Sequence, residues 1–165
     1  MKTLIRTLLL LSLIVWLGAE IFFPVVAAIT FGQLAPDTHA AGQIVGALLR
    51  IVHGMGLVCG VVLLALMALA PAWGIFKSRN VLAPMVLVLG MVALTAYSQF
   101  GILPAMELDR AAAGGVIDAV PKENPARMDF DKLHNRSVNV EGAISVLGLA
   151  VVVLVASADT AERRA

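Results

Sequence analysis

Four hydrophobic runs, each long enough to cross a bilayer, leave this chain few ways to fold. They cover about residues 4–31, 42–70, 81–103 and 137–156. The hydrocarbon core of a bilayer takes roughly 20 consecutive apolar residues as helix, and every backbone N–H and C=O inside it must be bonded within the segment. With 14% charged residues and a mean hydropathy of +0.94, the chain departs from soluble domains, which carry about 25% charge. The runs and their loops take up all 165 residues. The expected fold is all-α: a single-domain integral membrane four-helix bundle, with the lipid bilayer as its main partner.

The first run opens on Lys2 and Arg6 and continues through Leu8 to Leu11, as a signal peptide does. Its apolar character persists to Phe31, too long for a cleaved segment, so a retained helix is expected. Pro24 inside it predicts a kink. A short loop over 32–41 carries Pro36 and Asp37 as turn residues. The second run is interrupted by Gln43, Arg50 and His53. Its pairs Gly42/Gly46 and Gly56/Gly60 have the spacing that lets membrane helices approach closely. Pro71 ends it, and Trp73, Lys77 and Arg79 then read as interfacial anchors. Pro104 closes the third run. In the long connection from Ala105 to about Lys132, Met106–Ala113 is expected as a separate interfacial helix stopped by Gly114 and Gly115. Asn124-Pro125 marks the start of the last helix, with an N-cap residue before a proline at the first position.

Orientation follows from lysine and arginine placement. The N-terminus has Lys2 and Arg6, the second loop Lys77 and Arg79, the C-terminus Arg163 and Arg164, and the first loop none. The positive-inside rule then puts both termini and the second loop in the cytoplasm, an N-in/C-in arrangement consistent with four spans. The Ala/Val/Gly-rich spans and brief loops fit a bacterial inner membrane. A net charge of +1 gives no footing for nucleic acid.

Ionisable groups within the runs are the candidate site. A charge at a helix centre costs about 2.5–3.5 kcal/mol on insertion scales, so such groups face the bundle interior and find partners. At a rise of about 1.5 Å per residue, Glu20 lies roughly 16 Å inside the outer boundary and Arg50 and His53 roughly 9 and 14 Å deep. Tyr97 is roughly 10 Å deep and Glu141 roughly 5 Å. All fall in the outer half of the bilayer. Helical spacing sets Trp16, Glu20 and Phe23 on one face, Gly46, Arg50 and His53 on another, and His134, Glu141 and Ser145 on a third. Convergence of these faces would let Arg50 bridge Glu20 and Glu141. The plainer reading is a buried Glu20–Arg50 pair that fixes helix register. The sharper one is a ligand-binding, proton-relaying or transport site, with an oligomer providing the space that four helices lack.

No cofactor is expected. A bis-histidine haem needs two imidazoles at one depth, whereas His53 is mid-membrane and His39 and His134 lie at or beyond the outer boundary. His39 and His134, near Asp37, Asp129 or Asp131, are weak candidates for a divalent metal at the outer mouth. Cys59 is the only cysteine, which excludes an internal disulfide and any CxxC site. No HExxH, P-loop or nucleophile motif occurs, so no enzymatic activity is expected.

Four stretches carry a likeness to known proteins: Trp16–Phe23 with Pro24 and Phe31, Ala41–Gly46 with Arg50 and His53, Ile102–Met106 with Arg110, and Phe130–His134 with Ser137. On them the chain resembles the transmembrane protein 205-like domain family of small four-span membrane proteins, formerly a domain of unknown function. It implies an integral membrane protein without a settled activity. It also implies an amide one turn past Ser137, where this chain has Glu141. The layout is similar, by fold analogy, to copper-resistance and haem-biosynthesis bundles. The first functional expectation is therefore a non-enzymatic membrane protein whose polar cluster sets helix packing. A small oligomeric transporter or ligand-binding bundle using Glu20, Arg50 and His53 comes second, and a metal- or haem-linked redox protein third.

Overall fold

The computed structural model describes residues 2–163, with the side chains of 2–77 and 80–157. Arg79, Arg163 and Arg164, whose charges mark the cytoplasmic side in the sequence, lie outside the described side chains. The elements are α1 (Lys2–Gln33), α2 (Thr38–Leu69), α3 (Ser78–Tyr97), a π-helical turn (Ser98–Ile102), α4 (Leu103–Ala112), a 3-10 turn (Ile117–Ala119) and α5 (Pro125–Arg163). No strand occurs among the described residues. Four stretches, 2–33, 38–69, 80–112 and 125–157, are long and apolar enough to cross a membrane.

The helices pack in the cyclic order α1, α2, α3, α5, each touching its two neighbours. Short turns drive the alternation. Asp37 caps α2 by accepting the Ala40 N–H at 2.9 Å, and Asn124 receives the Ala126 N–H at 2.9 Å as Pro125 opens α5. At one end, Lys2 Nζ donates to the Gly74 carbonyl at 3.0 Å and Arg6 Nη2 to that of Ile75 at 3.2 Å. The Arg6 guanidinium also lies 5.5 Å over the Phe76 ring. At the other end, Arg127 Nη1 donates to the Val120 carbonyl at 2.7 Å, and Thr38 on α2 hydrogen-bonds Asp118 in the third loop. The N-terminus and second loop thus share one end, and the first and third loops the other.

Two expectations about boundaries are corrected. Pro104 does not end the third helix, which continues without a break to Ala112. The reason is the π-helical turn before it. The Leu103 N–H bonds back to Ser98 O, five residues away, and the widened turn carries the chain past the missing N–H of Pro104. Residues 106–112 are accordingly the C-terminal end of that helix, not a separate one. Gly114 and Gly115, at φ 81° and 97°, stop it as expected. Pro24 leaves α1 uninterrupted.

Burial inverts the soluble pattern. Val58, Leu89 and Val146 are 66, 57 and 66% exposed, while Glu20 and His53 are 2 and 0% exposed. Apolar surface outward and ionisable groups inward is the arrangement a hydrocarbon solvent favours. The core is centred on Trp16, Leu63, Val88, Met91, Ile144 and Val151. The Trp16 indole lies on the glycine face of α2. A methyl added at Gly56 would overlap its nitrogen, and one at Gly60 would come within 2.9 Å of its ring. Gly148 similarly admits Leu17 from α1 against α5. Of the two glycine pairs, Gly56/Gly60 therefore marks a close approach between helices, as its spacing predicts.

Candidate functional site

The site forms where polar side chains from all four long helices meet. Glu20 on α1 accepts the Trp16 indole N–H from one turn away, at 3.2 Å. His53 on α2, fully buried, sets Nδ1 3.1 Å from Gln99 Oε1 and Nε2 3.0 Å from Glu141 Oε1 on α5. Ser98 Oγ donates to the same Glu141 oxygen at 2.9 Å. Glu20 and Glu141 lie within hydrogen-bonding reach of each other, beside His53. The second oxygen of each carboxyl, Oε2, is buried without a hydrogen-bond partner.

The third long helix lies between α2 and α5, and adjacent positions about 100° apart face different neighbours. Ser98 turns to Glu141 on α5 and Gln99 to His53 on α2. Tyr97, expected in the cluster, is instead 45% exposed and accepts a hydrogen bond from Arg136 at 3.2 Å.

Arg50 is the larger correction. It does not bridge the two acids; its Nη2 lies 3.4 Å from Glu107 Oε1, and Glu107 also takes Arg110 at 2.8 Å. Arg50 sits nearly one turn closer than His53 to the N-terminal end of α2, and its long stem lets the guanidinium reach toward that end. The imidazole one step deeper bridges instead. Of the five residues proposed from sequence, Glu20, His53 and Glu141 come together, whereas Arg50 and Tyr97 lie outside. Ser98 and Gln99 were missed, although an adjacent polar pair inside a hydrophobic run is itself a signal. Because the Arg50–Glu107 pair is 37 and 50% exposed at the side chains, Arg50→Ala is expected to change stability by no more than about 1 kcal/mol. Thermal unfolding in detergent checks this, and a large drop would return Arg50 to the core of the site.

A haem iron would need a free imidazole nitrogen, and both nitrogens of His53 are engaged. His39 Nε2 lies 2.9 Å from Gln43 Nε2. Among the described residues, no group of three His, Cys, Asp or Glu side chains is placed to hold a metal ion. The donor set therefore suits hydrogen bonding and proton exchange better than metal ligation.

Fold and site together define a four-helix bundle with an apolar exterior and a carboxylate–imidazole–carboxylate cluster inside. The chain belongs to the family described as Domain of unknown function (DUF4149), which matches residues 11–112. The match takes in Glu20, His53, Ser98 and Gln99 but not α5 with Glu141. No curated protein and no solved structure matches the chain.

Proposed function

We propose that this chain is a non-enzymatic, transmembrane protein 205-like integral membrane protein of the bacterial inner membrane, N-in/C-in, whose cluster clasps the helices in one packing arrangement. The observation that carries this reading is that Trp16, Glu20, His53, Ser98, Gln99 and Glu141 bring polar groups from all four long helices to one level. The outward apolar surface supports the membrane, and the shared end of the N-terminus and second loop agrees with the lysine and arginine pattern. Buried polar clasps of this kind set register, while apolar replacement of the whole set is often neutral or stabilising.

The test follows from that asymmetry. The triple variant Glu20→Leu/His53→Leu/Glu141→Leu is expected to melt in detergent at or near the wild-type temperature. Each single leucine variant should melt well below it. A triple variant at least as unstable as the worst single one would sink the clasp. Reporter fusions at both termini test the orientation. The orphaned oxygens of Glu20 and Glu141 favour a second reading, ligand binding or transport by the same cluster in an oligomer. A substrate activity lost in the triple variant while its fold persists would select that reading.

A further inference from the structure

We propose that the Glu20–Glu141 pair is a binding site for one exchangeable proton, held between the two carboxyls and balanced against an imidazolium at His53. The donors that reach the two carboxyls are already committed. The Trp16 N–H goes to Glu20 Oε1, Ser98 Oγ goes to Glu141 Oε1, and the two ring nitrogens of His53 face Glu141 and Gln99. Arg50, the nearest cation along α2, is on Glu107. Glu20 is 2% exposed, and its Oε2 and that of Glu141 have nothing to accept from. Unsatisfied buried acceptors are expensive, and two carboxyls in contact cannot both stay ionised. A proton on one carboxyl becomes an O–H donor to the other and gives each a partner.

Charge counting reaches the same result. Both nitrogens of His53 meet oxygen acceptors, Gln99 Oε1 and Glu141 Oε1, a geometry that calls for a proton on each. The ring then carries +1 against two carboxylates at −2, and one proton neutralises the cluster. From the elements packed around it, the titratable groups are Glu20 on α1, His53 on α2 and Glu141 on α5, while the π-helical turn adds only Ser98 and Gln99. The Glu141 side chain keeps 13% of its surface and is the end open to exchange. This inference rests on the helices spanning a bilayer, which keeps water from the pair.

Infrared absorption of the purified protein in lipid nanodiscs at neutral pH provides the test. One protonated-carboxyl C=O band per chain is expected, shifting in D2O and disappearing entirely in both Glu20→Gln and Glu141→Gln. Circular dichroism and gel filtration verify that each variant folds, and the wild-type arms need no variant. A wild-type spectrum without the band overturns the proposal. So does a band at full intensity in folded Glu141→Gln, which would make Glu20 a solitary buried acid. Loss of the band on adding sodium or potassium chloride at fixed pH would make this an alkali-cation site instead. Failure of the clasp shows in the melting of the triple leucine variant, whereas failure of the proton site shows only in the infrared band.

Discussion

His53→Leu is expected to destabilise the protein by about 3–5 kcal/mol, the largest loss from any single change in the cluster. Leucine fills much of the imidazole volume, so the loss is electrostatic and hydrogen-bonding in origin. Glu141 keeps only Ser98 as donor, Gln99 Oε1 loses its partner, and the two adjacent carboxyls lose the imidazole beside them. Unfolding in mixed micelles, followed by helical signal, measures the loss. Adding Glu141→Leu to the same chain is expected to restore most of it, because the stranded charge goes with the side chain. Strictly additive losses from the two changes would mean that His53 and Glu141 do not act as a pair.

Trp16→Ala is expected to rank next, at up to about 3–5 kcal/mol by comparison with large-to-small changes in soluble cores. Lipid tails are as apolar as the core, so in a membrane the loss comes chiefly from packing rather than transfer to water. Trp16 is fully buried against Gly56 and Gly60, and a methyl side chain leaves that face of α2 empty. It also removes the donor to Glu20 Oε1. Trp16→Phe separates the two contributions. It refills most of the space and gives up only the N–H, so a loss of about 1–3 kcal/mol is expected from the unsatisfied carboxyl. Equal losses for alanine and phenylalanine in the same unfolding assay would assign the whole effect to the hydrogen bond and none to packing.

Much of this was legible in advance, for a physical reason. Hydrocarbon sets a minimum length for an apolar helix, so the four runs declared four long helices. It also makes an ionisable group at mid-depth turn inward, which singled out Glu20, His53 and Glu141. Arg50 and Tyr97 were misplaced because depth was read from the Cα position. A guanidinium at the end of three methylenes chooses its own depth, and a tyrosine hydroxyl can reach past its turn to Arg136. Ser98 and Gln99 went unweighed because the insertion cost that singles out ionisable groups is smaller for uncharged polar ones.

The widened turn at Ser98–Ile102 has a consequence for the far end of its helix. One extra residue in a regular helix would swing everything beyond it by about 100°. The widened turn takes up that residue locally, so the segment after it keeps its phase. Glu107 meets Arg50 and Arg110 overlies the Phe130 ring at 5.4 Å. Deleting one residue from the turn is therefore expected to restore ordinary winding and leave those contacts in place.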